Sequence, residues 1–598
     1  MSSINGSPPL APPRHKPRPR SCMECYRRKL RCDRAQTCSN CIRGGATCVY
    51  TDKPIRRDRK SKARNSALVD RVAGRERQVC ERRSRSSDLV FPQKRPGRLI
   101  ADKCGKSRLF TDTFWAQPST EPGPLSDSIG ADWTYLALSP SDRLSYGCFP
   151  FLQPVSQTQT QIANPNLGQI RQLWDIYIHN VDPLVRILHK PTIERILDDL
   201  SLDGESFGCE VRALLLAICY AAVSSLPPSQ VRVEFACDID SYVTSFRAAV
   251  ERGLMDAGLL KTHDIRVLQA FVILLTCLPR TEAYSIGLLT SLAVRIARSM
   301  GLHRDGSLFN LPPFEIEMRR RLWWHLCLLD WRTAEDVGLE ATTLPSTFDT
   351  MMPLNINDTD MNVMSTNIQG LHGYTEMVFR LATYESWSVA ASWNSRCTFC
   401  PCQRPMGIKE KEAELDQLLI RLEHKYLRFC RPIHTSMSRV ILLVIPLLVS
   451  KLRLVASYPI YRDTAPENTP LAPENKDKLF MSAVNLLEFE QLLADDYELR
   501  GLRWFFANAH VQWHAMSYAL SELCIRIEGE TEAAAWDVIE RVFPSSPPGR
   551  STTGDNVWQP LEGLKQKALN ARYSFMFQIP EFFTTKSNDT LFDRHFMN

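Results

Sequence analysis

Six cysteines near the N-terminus constrain this chain more than any other feature. They occupy residues 22–48 and read Cys22-x2-Cys25-x6-Cys32-x5-Cys38-x2-Cys41-x6-Cys48. A tetrahedral zinc ion needs four ligands, so two ions need eight ligand positions, which six thiolates supply if two of them bridge. The two Cys-x2-Cys-x6-Cys halves therefore predict a pseudo-symmetric site for two metal ions.

A disulfide knot is the main alternative explanation of these cysteines, and it requires an oxidising compartment. The N-terminus, Met1 to Arg20, has no apolar segment of the kind that a secretory signal contains. Two apolar runs, Ala213 to Val223 and Val440 to Val449, are shorter than the roughly 18 to 20 residues of a membrane span. We therefore expect a soluble protein of a reducing compartment, without membrane contact, whose 19 cysteines are thiols or metal ligands.

Charge is distributed unevenly along the chain. Residues 1–110 contain 29 lysines and arginines but 9 acidic residues, whereas residues 111–598 contain 44 and 57. The formal net charge of +7 therefore hides a basic arm joined to an acidic body. Such an asymmetry is typical of a nucleic-acid-binding arm, although charge alone leaves a solvated linker equally open.

The first half of the cysteine segment is also strongly basic. Between Cys25 and Cys32 it carries four cations, Arg27, Arg28, Lys29 and Arg31. We expect this stretch to form a short helix of about two turns, held by zinc at both ends. Such a helix can enter a major groove and present its N–H donors to base edges and phosphates.

This segment resembles the fungal zinc binuclear cluster transcription factors. The resemblance implies two zinc ions with two bridging thiolates. The implied ligands are Cys22, Cys25, Cys32 and Cys38 for one ion, and Cys38, Cys41, Cys48 and Cys22 for the other, with Cys22 and Cys38 as the bridging pair. The chain departs from the family pattern at Tyr26, where a cation is frequent, and at Thr37, where a proline usually precedes the fourth cysteine.

The same resemblance assigns the cations. It implies that Lys29, helped by Arg28, reads guanines of a CGG-type triplet in the major groove. Arg27 and Arg31 would contact phosphates, which fixes register without carrying sequence information. Without zinc, a segment as short as residues 22–48 cannot bury enough surface to be stable, so we expect metal binding and folding to be coupled.

The arm continues with a basic run at residues 53–64, which fits a DNA-backbone contact combined with a nuclear-import signal, or else a solvated linker. Leu68, Val72 and Val79 are the best candidates for a dimer-forming coiled coil, but they do not sustain three or four heptads. A monomeric or weakly dimeric factor and an incorrect coding sequence over residues 74–110 both remain open. Residues 80–108 are not expected to fold, and residues 109–168 read as a proline-rich linker.

After residue 168 the apolar pattern is helical. Leu173, Ile176, Tyr177 and Val181 share one helical face, and another stripe runs from Ile286 to Met300, with Gly301 placed as a C′ residue. Further helices are expected after Pro312-Pro313, around residues 415–422, and over residues 476–494 and 503–526. No period-2 pattern competes with them, so the body is predicted to be all-α.

Several strings of this body, taken in order, resemble the fungal-specific transcription factor domain, also called the middle homology region. The strings span residues 173–177, 181–184, 300–305, 319–324 and 353–358, together with His189 and Pro313-Phe-Glu315. The resemblance covers roughly residues 170–400. It implies a helical regulatory body that restrains or licenses the attached DNA-binding module, but the periodicity reveals no effector pocket.

Enzyme and additional metal sites are poorly supported by the sequence. Gly204-Glu-Ser-Phe-Gly208 spells G-x-S-x-G, but it follows a helical stretch rather than the strand that a nucleophile elbow needs. His510 and His514 lack the glutamate of H-E-x-x-H, and Cys397, Cys400 and Cys402 lack an obvious fourth ligand. His303-Arg304-Asp305 follows a helix end, where we expect its hydrogen bonds to close that helix.

The sequence thus predicts a mainly α protein made of a small two-zinc, six-cysteine module and a large all-α body, joined by a disordered basic and proline-rich linker. The expected divisions are residues 1–21 (disordered tail), 22–48 (zinc cluster), 49–168 (linker), 169–400 (fungal-specific domain) and 401–598 (helical C-terminal part).

The predicted function is zinc-dependent, sequence-specific regulation of RNA polymerase II genes in the nucleus, with no enzymatic activity. The expected gene set is metabolic or secondary-metabolite biosynthetic. The expected partners are double-stranded DNA, the transcription machinery and, through the weak coiled coil, a second copy. The alternative is a zinc-cluster co-regulator or scaffold that does not read bases.

Overall fold

The computed structural model describes residues 21–28, 30–50, 98–101, 107–110, 163–203, 208–235, 237–279, 282–395, 406–461, 473–509, 513–526, 529–542 and 558–576. The chain divides into two compact units, Met1–Val90 and Phe91–Asn598. In its described part, the first unit contains the cysteine segment and the second contains a short hairpin and the helical body.

The cysteine segment contains two helices of equal length. Helix α1 is Met23–Arg27 and helix α2 is Ser39–Arg43, so the second begins 16 residues after the first. Helices of five residues are not stable alone, because nucleation costs more than so few hydrogen bonds return. Their stability must come from what the segment packs around, which is four buried cysteines, Cys22, Cys25, Cys38 and Cys41.

A two-stranded antiparallel hairpin precedes the body. Strand β1 is Arg98–Ala101 and strand β2 is Ser107–Phe110, and their register sets Leu99 opposite Leu109. The expectation that residues 80–108 do not fold is therefore wrong for these strands. Four-residue strands are too short to show a period-2 pattern. The two strands are stabilised by pairing with each other, which the apolar pattern does not reveal.

The first part of the body is a series of helices that share one apolar core. These helices are α3 (Leu167–Asn180), α4 (Asp182–Val185), α5 (Lys190–Asp203), α6 (Cys209–Ser224), α7 (Pro228–Phe235), α8 (Ile239–Asp256), α9 (Ile265–Cys277), α10 (Ala283–Ser299), α11 (Pro313–Val337) and α12 (Val378–Ser395). Helix α6 is buried along almost its whole length, which matches its near-continuous apolar sequence.

The second part of the body is also helical. It contains α13 (Ile408–Leu422), a π-helical turn (Glu423–Leu427), α14 (Arg428–Cys430), α15 (Ser436–Tyr461), α16 (Pro473–Asp495), α17 (Arg503–Ala509), α18 (Trp513–Leu523), α19 (Glu530–Val542) and α20 (Trp558–Met576). Within the described residues, the helical run expected over residues 503–526 contains two helices, α17 and α18. Helices α16, α18, α19 and α20 surround a second apolar cluster that includes Phe480, Leu520 and Trp536.

Local sequence explains several helix ends. Helix α3 begins with a capping box, in which the Asn166 side chain accepts from the Gln169 N–H and the Gln169 side chain accepts from the Asn166 N–H. Helix α10 ends at Ser299, and Gly301 stands in the predicted C′ position, where its φ of 78° is the left-handed conformation that glycine adopts without strain. The N–H of Leu302 then donates to the carbonyl of Ala297 at 3.0 Å, which closes the helix.

One helix is long and apolar enough to cross a membrane by length and composition. Its segment Ser436–Ser457 lies within α15, so the expectation that the apolar run there is too short was wrong. A bent pair, Cys209–Ser224 with Pro228–Phe235, passes the same test only if it is counted as one span. Both segments contribute buried residues to the core, and Lys451 of α15 pairs with Glu335 of α11. These contacts are those of a core helix.

A buried ion-pair network joins the strings that resemble the fungal-specific domain. Asp182 binds Arg186 at 2.6 Å, and Arg321 binds both Glu317 at 3.1 Å and Asp358 at 2.7 Å. All five side chains are at most 2% exposed. Segments far apart in sequence are therefore held together by charges that compensate one another away from water.

The string His303-Arg304-Asp305 has a different role from the one expected. Asp305 accepts two hydrogen bonds from Arg320 of α11, both at 2.8 Å, and one from the N–H of Met351 at 2.9 Å. Burial opposes ionisation of Asp305, but the hydrogen bonds from Arg320 and Ser307 hold its pKa well below its usual range. Asp305 therefore ties α11 to the following loop, rather than closing helix α10.

Candidate metal centre and nucleic-acid interface

The six predicted cysteines come together as two groups of four. One group is Cys22, Cys25, Cys32 and Cys38, and the other is Cys22, Cys38, Cys41 and Cys48. Within each group all sulfur atoms lie within 4.8 Å of one another, and Cys22 and Cys38 belong to both groups. None of the cysteines in the described ranges forms a disulfide.

The sulfur separations fit a shared metal ion and not a disulfide. The Sγ atom of Cys38 lies 3.7 Å from that of Cys22 and 3.4 Å from that of Cys25, and Cys22 lies 3.6 Å from Cys41. A disulfide would require about 2.05 Å. A tetrahedron with Zn–S bonds of about 2.3 Å has edges of about 3.8 Å. The cluster therefore has the size that tetrathiolate zinc sites require.

The backbone repeats with the same 16-residue offset as the cysteines. In the first half the N–H of Leu30 donates to the carbonyl of Cys25 at 2.9 Å, and in the second the N–H of Ala46 donates to that of Cys41 at 3.0 Å. Burial repeats as well, since Cys22 and Cys38 are both fully buried. The pseudo-symmetry predicted from spacing is thus present in the fold.

The pKa values of two of the thiols are shifted in opposite directions. The backbone hydrogen bond from Cys25 N–H lowers the pKa of Cys22 to about 6. The hydrogen bond with Cys38 raises the pKa of Cys25 to about 12. Six sulfurs this close cannot all be thiolates unless cations offset their charge. Two divalent ions would supply that charge and release the protons.

Polar side chains close the loop between the halves, where Thr37 replaces the usual proline. Asp33 accepts hydrogen bonds from the N–H and hydroxyl of Ser39, which lower its pKa. Asn40 donates to the carbonyl of Arg31 at 3.0 Å, and Tyr50 donates to that of Ala35 at 3.0 Å. Sequence reasoning missed these residues because none of them is a metal ligand or a cation.

The predicted DNA-contacting residues extend beyond the short helix. Only Arg27 lies within α1, because the helix ends there rather than continuing for two turns. Arg28 follows in a turn, where its Nε donates to Glu24 at 2.7 Å while 47% of its side chain stays exposed. Arg31 is exposed, whereas Lys29 lies outside the described residues.

The two halves differ in charge although their backbones match. Applying the 16-residue offset pairs Arg27 with Arg43, but Arg28, Lys29 and Arg31 with Gly44, Gly45 and Thr47. The first half thus has four cations where the second has one. Zinc binding does not require this difference, because the cysteine spacing is the same in both halves.

The other motifs are only partly described. Residues 204–207, His510, Cys397, Cys400, Cys402 and the coiled-coil candidates Leu68, Val72 and Val79 lie outside the described residues. The G-x-S-x-G motif stands between helices α5 and α6, whereas a nucleophile elbow follows a strand. His514 is buried, and its Nδ1 lies 3.3 Å from Glu335.

A compact thiolate cluster with room for two metal ions, placed before a large helical body, defines a zinc-cluster regulator. Comparison with known families agrees. Residues 20–57 match the fungal Zn(2)-Cys(6) binuclear cluster domain, and residues 174–385 match the fungal specific transcription factor domain. The chain therefore carries both domains of a fungal zinc-cluster transcription factor, as predicted, and its cluster domain binds two zinc ions. These are domains of a DNA-binding transcription factor and not of an enzyme.

The chain is also similar to proteins that are named as transcription factors. The aurofusarin cluster transcription factor aurR2 of Gibberella zeae is 28% identical over 571 residues, covering 92% of this chain and 80% of the relative. The C6 finger domain transcription factor hasF of Aspergillus fumigatus is 28% identical over 600 residues, covering 84% and 77%. The pyriculol/pyriculariol biosynthesis cluster transcription factor 1 of Pyricularia oryzae is 29% identical over 396 residues, covering 61% and 53%.

Proposed function

We propose that this chain is a nuclear regulator of RNA polymerase II transcription that reads CGG-type triplets through the first half of its zinc cluster. The observation that carries the proposal is the charge difference between two otherwise matching halves. A scaffold that only held zinc would not need Arg28, Lys29 and Arg31 where the second half has small uncharged residues. A DNA reader needs cations on the side that faces the groove.

The proposed ligands of one zinc are Cys22, Cys25, Cys32 and Cys38, and those of the other are Cys22, Cys38, Cys41 and Cys48. Cys22 and Cys38 bridge. Two observations support this assignment. Cys22 and Cys38 each belong to both four-sulfur groups, and the sulfur separations are 3.4–3.7 Å. Zinc supplies the bonds that hold the two short helices in place.

Within the proposed interface, Lys29 and Arg28 contact guanine edges, and Arg27 and Arg31 contact phosphates. The ion pair with Glu24 supports a specific role for Arg28, because it restricts the guanidinium before DNA binds and leaves half of the side chain accessible. The hydrogen bond from Asn40 to the Arg31 carbonyl fixes the backbone that presents the phosphate contact.

The proposed domain organisation keeps the predicted boundaries, with the cluster at residues 22–48, the linker at 49–168, the fungal-specific domain at 169–400 and further helices at 401–598. A homodimer through residues 68–79 and contacts with the transcription machinery belong to the same proposal. The printed names of relatives from aurofusarin and pyriculol/pyriculariol clusters support control of a secondary-metabolite gene set.

Selection of bound sites from random duplex DNA tests the proposal. The full-length protein is incubated with the library with zinc or with a chelator, and retained duplexes are sequenced. We expect a common CGG-containing motif with zinc and none with the chelator. The alternative, a zinc-cluster co-regulator that does not read bases, predicts no common motif under either condition, and that result would refute the proposal.

A further inference from the structure

The helical body encloses a cavity between helices α11, α12, α15, α16 and α17. Its volume is about 80 Å³, several times what a single water molecule needs. Its walls are mostly apolar and include the rings of Trp331, Phe379, Trp387, Phe489, Phe505 and Phe506. This shape and lining suit a compact organic molecule with an apolar body.

One charged side chain in this wall is unusual. Arg380 is 1% exposed, and its Nε and Nη2 atoms have no hydrogen-bond partner among the described residues. Its guanidinium lies 5.3 Å from the ring centres of both Phe379 and Phe505. Burial lowers the pKa of Arg380 to about 10. A cation taken out of water without a counter-charge is costly, so its presence calls for an explanation.

Two other buried arginines of the same body, unlike Arg380, pair with carboxylates. Arg186 is 2% exposed and pairs with Asp182 and Glu376. Arg321 is fully buried and pairs with Glu317 and Asp358. In the described part of the body, Arg380 faces aromatic rings and a cavity where these two arginines face carboxylates.

The cavity wall also contains the polar side chains of Thr276, His325, Arg332, Glu335, Thr383 and Lys451, of which Glu335 pairs with Lys451 at 3.0 Å. The hydroxyl of Thr276 donates to the Val272 carbonyl at 2.7 Å, so it accepts from Nε2 of His325 at 3.1 Å. This arrangement leaves His325 Nδ1 as an acceptor, and that atom has no partner among the described residues. Trp387 Nε1 is a buried donor that also has no hydrogen-bond partner among the described residues.

We propose that the cavity binds a compact carboxylate with an apolar body. The carboxylate pairs with Arg380, whose guanidinium matches it in geometry, and the aromatic walls cover the apolar part. A neutral molecule of equal size leaves the guanidinium uncompensated. The proposal concerns the body alone and goes beyond the proposed DNA-reading function. It can fail without affecting that function, because binding is measured without DNA.

Benzoate is the probe, and benzamide is its uncharged match. Binding to the full-length protein is measured by ligand-observed NMR and by the ligand-induced rise in melting temperature. We expect benzoate to bind at least about tenfold more tightly than benzamide, as a charge-assisted hydrogen-bonded pair implies. Arg380→Met should abolish that preference. Arg428→Gln should not alter it, because Arg428 also lies over a ring, that of Phe429, but is exposed and outside the cavity.

Two measurements separate a ligand site from a merely structural arginine. Without ligand, Arg380→Met should melt at the same temperature as wild type or higher, because it removes an uncompensated buried cation. Val444→Phe adds volume to the cavity wall and should block benzoate while Arg380 remains. Equal affinity of wild type for benzoate and benzamide, unchanged benzoate binding in Val444→Phe, or a lower melting temperature of Arg380→Met would each overturn the proposal. If Arg380→Met does not fold, the stabilising role of Arg380 is shown and the proposal is likewise overturned.

Discussion

The sulfur atoms of Cys22 and Cys38 lie 3.7 Å apart, and each belongs to both four-sulfur groups of the cluster. Four other cysteines each belong to one group. If each group holds one zinc ion, a change at a shared sulfur removes a ligand from both ions, whereas a change at an unshared sulfur leaves one ion with all four ligands.

Zinc content should reflect this difference. We expect Cys38→Ser to lose both zinc ions and Cys48→Ser to retain about one, because its first group remains complete. Native mass spectrometry of the purified proteins measures the stoichiometry. Cys237→Ser, which changes an exposed cysteine outside the cluster, is the control and should retain about two. Two retained ions in Cys38→Ser would contradict a bridging role.

The cations of the first half should divide into two functional kinds. Lys29→Ala should relax base preference at the guanines, because base-edge contacts carry sequence information. Arg31→Ala should instead weaken binding to all sequences and reduce the salt-dependence slope by about 0.9, the value for one phosphate contact. Binding selections and salt titrations with full-length protein measure both effects.

The pseudo-symmetric position of the second half provides the control. Arg43→Ala changes the counterpart of Arg27 and should leave base preference intact. An unchanged preference in Lys29→Ala would show that another residue reads the guanines. An unchanged salt slope in Arg31→Ala would remove it from the phosphate contacts.

Sequence reasoning succeeded where a repeated spacing encoded the structure. Cys22 to Cys48 predicted two matching halves, and the stripe ending at Gly301 predicted a helix and its stop. It did not find the short hairpin, the loop contacts of Asp33, or the surroundings of Arg380. The hairpin and the contacts of Asp33 are local pairings that leave no periodic apolar pattern, and the surroundings of Arg380 depend on which distant segments meet.

The ion pair between Arg321 and Asp358 should be a large contributor to the integrity of the body. Asp358→Asn leaves Arg321 facing only Glu317 in a fully buried site, and breaking such pairs costs about 3–5 kcal/mol. Urea denaturation followed by tryptophan fluorescence measures this, because no tryptophan lies in residues 22–48 and the signal therefore excludes the cluster. Asp360→Asn, at an exposed position two residues later, should have little effect. Equal midpoints for the two variants would contradict a stabilising role.

The pair between Asp305 and Arg320 should make stability depend on pH. The folded pKa of Asp305 lies below its ordinary value of 3.8, so its ionised form contributes stability above about pH 4. That contribution is lost as the pH falls through the folded pKa. We therefore expect Asp305→Asn to be less stable than wild type by about 1.5–3 kcal/mol at pH 7, the range for hydrogen bonds to a charged group.

The difference between the two proteins should stay constant from pH 8 to about 5 and narrow below about pH 4, because unfolded wild type then binds a proton at Asp305 that the folded protein does not yet bind. Urea midpoints across this range measure it. Asp256→Asn changes a surface pair with Arg252, both about half exposed, and should show no comparable gap at any pH. A gap for Asp305→Asn that widened on acidification would mean that the folded pKa lies above the unfolded one, and that Arg320 does not stabilise the carboxylate.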